Sequence, residues 1–212
     1  MSLTLSLSKP GDKVAKLSLN LNKDEKFTVK LLWDGSADLD LHALLCVGAE
    51  GRQAGITSLE QILSTYNVRR KIGGSEVGVL DKQADGTFEI YGGALVHSPD
   101  AIDGKLDGVD EWIRVDPARI PQRSGEFIEI PLIAMIHPQS GAHTFASVNN
   151  AQVQIVNARG EVLLDASLSA QFGPFIGVQM GSIMIEANGK AEFAQVGSGF
   201  MGDFNSVIEH FG

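Results

Sequence analysis

The sequence predicts an all-β protein, a single domain of short strands with a few peripheral helical turns. Runs of alternating polar and apolar residues recur along the chain, and clusters of turn-forming residues separate them. The 24 glycines among 212 residues agree with many tight turns, and an apolar share of 43% is ample for one core.

The first runs, Leu3 to Leu7, Val14 to Leu21 and Phe27 to Trp33, alternate well enough to begin a sheet, with Pro10-Gly11 and Asn22-Lys23-Asp24 as turns. From Asp38 onward the period is again two, so Asp38, Asp40 and His42 share one face of a strand and Leu39, Leu41, Ala43 and Leu45 the other. Thr57-Ser58-Leu59-Glu60 has the form of a capping box and predicts a short helix through Ile62 and Leu63. Strand patterns resume over Glu126 to Ile136, Gln152 to Val156 and Glu161 to Leu168. A further pair flanks Asn188-Gly189, the favoured two-residue hairpin turn. Asp203 to Phe211 reads as an amphipathic helical turn under an aspartate cap, with Phe204, Val207, Ile208 and Phe211 on one face.

The densest chemistry lies between Asp100 and Glu111, where Asp100, Asp103, Asp107, Asp110 and Glu111 are interrupted by Gly104 and Gly108 and by one basic residue, Lys105. Carboxylates this close repel unless a cation or water screens them, and calcium takes roughly 6–8 oxygen ligands from flexible acidic loops. Glycines let such a loop fold back on itself. Acidic stretches are also common as plain solvated loops, and this one lacks the spacing of a helix-loop-helix calcium hand. The second acidic pair, Asp38 and Asp40, sits on a strand whose other face is apolar; near a core it needs a compensating cation or donors, and at an exposed edge it needs neither.

In these residues the chain resembles the tellurium-resistance, TerD-like family of bacterial and phage stress proteins. The matching pieces are the opening run ending Ser8-Lys9-Pro10-Gly11, the Trp33-Asp34 pair, and Asp38-Leu39-Asp40-Leu41, similar to the family's Asp-hydrophobic-Asp strand. Tyr91 to Asp100, the acidic signature from Asp107 to Asp116, Thr144 to Ala151 and Val196 to Phe200 complete the set. The resemblance implies a two-sheet β-sandwich binding one or two calcium ions at one end. It places Asp38, Asp40, Asp100, Asp107, Asp110 and Glu111 at ligand positions. Pro99 and Ala101 depart from the usual Gly and Asn, and Val109 replaces the first acid of a paired Asp-Asp. Asp103 stands where a hydroxyl residue is more usual and is a further candidate ligand.

A net charge of -9 argues against nonspecific nucleic-acid binding, which depends on basic surface, and suits a cation binder. Cys46 is the single cysteine, so no intrachain disulfide can form, and its apolar neighbours make it a buried small hydrophobe. Neither a signal sequence nor an apolar run long enough to span a bilayer is present, so no membrane insertion and cytoplasmic residence are expected. The five histidines are scattered, with no zinc spacing, nucleophile elbow or phosphate loop, so no enzymatic activity is expected. His97, beside the acidic loop, reads as a hydrogen-bonded loop residue, with metal ligand or general base as the other roles open to it.

The whole chain, 1–212, is expected to be one TerD-like domain with an insertion at about 48–85, whose Arg69-Arg70-Lys71 is the only basic cluster. That cluster is either a solvated turn or a dock for an acidic partner or another copy's acidic loop. The expected function is a calcium-binding protein of the tellurium-resistance and stress-response type, acting with other subunits, as a homo-oligomer or with related stress proteins. The alternative is a structural or assembly protein, such as a phage virion component, using the same fold as an interaction module.

Overall fold

A computed structural model describes residues 18–21, 25–105 and 108–212, the first of these for backbone alone. In chain order the strands are β1 (Ser18–Leu21), β2 (Phe27–Asp34), β3 (Leu39–Leu44), β4 (Cys46–Ala49), β5 (Arg52–Gly55), β6 (Ile62–Leu63), β7 (Arg70–Ile72) and β8 (Ser75–Val77). They continue as β9 (Phe88–Ile90), β10 (Leu95–His97), β11 (Glu111–Val115), β12 (Glu126–Ile136), β13 (Asn149–Asn157), β14 (Val162–Ser167), β15 (Gly177–Ile185) and β16 (Ala191–Phe200). Two short helices are α1 (Leu168–Gln171) and α2 (Phe204–Phe211).

The first sheet runs β1-β16-β15-β12-β3-β6, with β4 also on β12 and carrying β5; the second runs β14-β13-β2-β11-β10-β9. β7 and β8 form a separate hairpin. The period-2 pattern explains the layering. Phe27, Val29, Leu31 and Trp33 of β2 are buried while the residues between them are half-exposed. These meet Leu39, Leu41, Ala43, Leu132 and Ala134 of the first sheet in one apolar layer. Each aliphatic side chain fully buried there contributes roughly 1.5–3 kcal/mol, so the layer fixes which face of every strand points inward.

A second apolar layer lies on the outer face of the first sheet. Leu44, Cys46, Ile133 and Met135 pack under Phe204, Val207 and Phe211 of α2. The helix begins as its sequence predicts, with Asp203 Oδ1 accepting the Ser206 N–H at 3.0 Å. At its other end the Ile56 N–H donates to the Phe211 carbonyl at 2.7 Å. Cys46 is fully buried here and burial pushes its thiol pKa up to about 12, as befits an unreactive hydrophobe.

One alternative that the sequence left open is decided toward burial, and several local expectations are corrected. β3 has no exposed face: all six of its residues are buried, because α2 and the segment after β6 cover the side that carries Asp40 and His42. The turn at Ser58 is a single 3-10 turn closed by Gln61 rather than Glu60, its Oε1 accepting from the N–H groups of Thr57 (2.7 Å) and Ser58 (3.1 Å). Ile62 and Leu63 then pair with β3 as a strand instead of continuing a helix. Gly189, at φ +82°, closes a bulged turn, since Asn188 lacks the positive φ a two-residue Asn-Gly turn requires. The Leu3 to Leu7 run and the first two turns lie outside the described residues, and only Ser18–Leu21 of the Val14 to Leu21 run lies within them.

Candidate metal centre

The acidic loop leaves β10, returns as β11, and is fastened to the turn between β2 and β3. Gly35 and Gly104 exchange backbone hydrogen bonds of 2.9 and 3.0 Å. Gly104 is required by space: a Cβ there would lie 2.4 Å from the Trp33 carbonyl oxygen and 2.5 Å from its indole. Trp33 is held in turn by its Nε1–H, which donates to the Ala37 carbonyl at 2.7 Å. The backbone thus carries Asp100 and Glu111 against the start of β3.

There Asp40, Asp100 and Glu111, from three separate elements, each bring a ligand oxygen within 4.8 Å of the others. Asp40 and Glu111 are buried, and Asp100 is exposed at the mouth. Asp40 is oriented by residues of the 48–85 segment: its Oδ1 accepts from Thr65 Oγ1 at 2.7 Å and its Oδ2 from the Tyr66 hydroxyl at 2.8 Å. Glu111 Oε2 accepts the Leu41 N–H at 2.8 Å, and Oε1 the Ala101 N–H at 3.3 Å. Outer contacts of this kind fix the direction of ligating carboxylates in metal sites.

The electrostatics are those of an acidic cluster held in a protein interior. Burial raises the Asp40 pKa to about 6, against the lowering effect of its Thr65 and Tyr66 hydrogen bonds and with help from Asp38. Burial, with the Asp40 charge next, holds Glu111 well above the usual carboxylate range. His97 stacks on Phe88 and sets Nδ1 against the Ser98 carbonyl (2.8 Å) and Nε2 against the Leu41 carbonyl (3.0 Å), 3.8 Å from Glu111. Burial lowers its pKa while those carbonyls pull the other way. His97 therefore supports β3 and Glu111, the hydrogen-bonded role its sequence position favoured.

The other sequence candidates do not join this group of three among the described residues. Asp38 precedes β3 and faces His137 Nδ1 at 3.6 Å; burial raises its pKa, opposed by His137 and reinforced by Asp100 and Asp103. Asp110 Oδ2 accepts the Trp33 N–H at 2.9 Å, and burial, with Asp34 and Asp103, raises its pKa. Asp103 pairs with Lys105. Asp107 lies outside the described residues. Thr65, Tyr66 and His137 were not legible as site residues, because nothing in a Ser-Thr-Tyr turn or in a strand-end histidine announces which carboxylate it will meet.

The donor set fits a hard cation. It consists of carboxylate oxygens, the chemistry that calcium, magnesium and manganese prefer. Among the described residues, the buried Asp38 Oδ1 and Asp110 Oδ1 have no hydrogen-bond partner. Unpaired buried acceptors are costly, and in general a bound cation relieves both that cost and the mutual repulsion of crowded carboxylates.

Fold and cluster together define an antiparallel β-sandwich with an acidic centre where β3 and β11 begin. The TerD domain family model matches residues 87–211, and the chain belongs to that family. Chemical-damaging agent resistance protein B of Clostridium acetobutylicum is 31% identical over 122 residues, covering 57% of this chain and 85% of that protein. General stress protein 16U of Bacillus subtilis (strain 168) is 29% identical over 122 residues, 57% of this chain, and the match spans 61% of the relative's length. The crystal structure of a homologue of telluride resistance protein from Streptomyces coelicolor A3(2) superposes with a TM-score of 0.59 at 16% identity, over 87% of this chain and 95% of that one, and shares the fold. The family match contains the acidic loop but not the Asp38–Asp40 strand.

Proposed function

We propose that this protein binds calcium and serves a response to tellurium compounds or other chemical damage through binding rather than catalysis. The observation that carries this reading is the convergence of Asp40, Asp100 and Glu111. Asp40 and Glu111 would hold the ion from the buried side and Asp100 from the mouth, with Asp38 and Asp110 adding charge and Asp103 and Asp107 as further candidate ligands. The bound ion supplies positive charge that links the two sheets. The names of the relatives, which speak of resistance to a chemical-damaging agent and of general stress, support the physiological part. Among the described residues no helix is long and apolar enough to cross a membrane, in keeping with a proposed cytoplasmic role alongside protein partners or further copies of the chain.

Calorimetry on chelator-treated, folded protein tests the reading. Calcium is expected to bind more tightly than magnesium, which demands a compact octahedron and keeps its waters. Calcium is also expected to raise the melting temperature by mass action. Absence of calcium heat from intact protein would sink the proposal.

A further inference from the structure

Two residues of the basic cluster, Arg69 and Arg70, share a cleft with acids of their own chain. Arg69, Arg70 and Lys82 line the same cleft of about 590 Å³ as Asp38, Asp40 and Asp100. Their charges are not equally occupied. Arg69 is met by Asp81 at 2.8 Å and Glu76 at 3.2 Å. Arg70 donates through Nη1 to the carbonyls of Thr65, Tyr66 and Val68 and meets no carboxylate among the described residues. Lys82, also in the lining of the cleft, likewise forms no ion pair among the described residues. Beside them stand two isoleucines that the core does not use: Ile72 is 57% exposed and Ile102 72% exposed, and both line the cleft.

We propose that this cleft takes an organic phosphate, whose oxygens cap the cation and meet Arg70 and Lys82, and whose apolar remainder lies over Ile72 and Ile102. The inference rests on the cation site proposed above. Asp40, Asp100 and Glu111 bring one oxygen each together, and Asp40 and Asp100 also line the cleft, so a cation that takes roughly 6–8 oxygens and is held there is within reach of a ligand on the cleft side. A phosphate monoester carries two charges and three acceptor oxygens, which suits a cation flanked by a guanidinium and an ammonium better than a single carboxylate does. Exposed apolar side chains beside such polar groups favour a ligand that has an apolar body.

The test uses the full chain and two soluble probes, methyl phosphate and phenyl phosphate, with calcium titrated in the presence and absence of each. Phenyl phosphate is expected to tighten calcium about tenfold, and calcium to tighten phenyl phosphate by the same factor, since binding couplings are reciprocal. R70Q and K82Q should each cut that coupling several-fold without weakening calcium on its own, and circular dichroism shows that each variant is folded. Ile72→Ser and Ile102→Ser should weaken phenyl phosphate but not methyl phosphate. Vesicles of phosphatidylcholine with phosphatidic acid separate the sources: calcium-dependent capture that needs both isoleucines assigns a lipid headgroup, and phenyl phosphate coupling without capture assigns a soluble phosphate. Intact calcium binding with neither coupling nor capture overturns the inference and leaves the calcium reading standing. Coupling that survives the R70Q/K82Q double variant also overturns it, whereas absence of calcium binding removes both.

Discussion

Glu111 Oε2 accepts the Leu41 N–H at 2.8 Å, so a carboxylate of the second sheet completes the backbone hydrogen bonding of a strand in the first. Leu41 lies opposite Ala134 of β12 on one side, and β6 reaches only Ala43 and Leu44 on the other. Its remaining edge groups are covered from across the sandwich, the N–H by Glu111 and the carbonyl by His97. Glu111 therefore carries both a structural contact and a candidate ligand oxygen.

These two roles separate by substitution. Glu111→Gln keeps an acceptor for Leu41 but loses the charge and gives up the longer contact to Ala101, so in chelator it should be more stable than Glu111→Ala while calcium affinity falls on the order of 10- to 100-fold. Glu111→Ala should lose the same affinity and also about 1–3 kcal/mol of stability, through the buried N–H left unpaired. Denaturant unfolding in chelator, run beside calcium calorimetry, distinguishes them.

If Asp40 and Asp100 share an ion, their effects on calcium affinity cannot be independent. Asp40→Asn and Asp100→Asn are each expected to weaken calcium, and the double variant to lose less than the sum, by about 0.5–3 kcal/mol of coupling. Additive losses would place the two residues at separate sites.

The raised Asp40 pKa predicts a pH signature in chelator. Asp40 titrates at about 6 when folded and near its ordinary 3.8 when unfolded, so the cost of ionising it is absent below about pH 4 and complete above about pH 6. Asp40→Asn should therefore gain stability relative to the parent as pH rises through that window, and the two profiles should converge in acid. Differencing removes the opposing contribution of His42 and His97, whose burial lowers their pKa values in both proteins. Calcium affinity of the parent should decline below about pH 6, as protons compete for the same oxygens.

Gly104→Ala tests the seating of the acidic loop. The added methyl meets Trp33 backbone and indole atoms at 2.4–2.7 Å, so the loop must lift from the β2–β3 turn. A stability loss of about 1–3 kcal/mol is expected, with weaker calcium binding because Asp100 is displaced. Unchanged thermal unfolding and unchanged calcium heat would show that the Gly35–Gly104 pairing does not position the site.

The strands with one buried face, such as β2 and β14, were legible because period-2 burial writes itself into the residue order. The face of Asp40 and His42 was not, since α2, whose own pattern was legible, returns from the far end of the chain to cover it. The candidate site divides the same way. Acid density marked the loop from Asp100 to Glu111 and the Asp38–Asp40 pair, because carboxylate crowding is a property of composition and spacing. Which carboxylates meet was decided by tertiary structure: the sandwich brings the start of β3 to the start of β11, and its tight packing leaves Asp40, Asp100 and Glu111 together while Asp38 turns to His137. The basic run at Arg69 shows the same limit, for its charge was plain in the sequence, but only the fold places Arg70 in the cleft of its own chain's acids. By itself the sequence determined the strand periods, the single unpaired thiol and the acid-rich segments, all of which follow from residues close together in the chain. The fold alone decided the site, because electrostatic and hydrogen-bond partners are chosen by distance in space, and loop closure brings together residues about sixty positions apart.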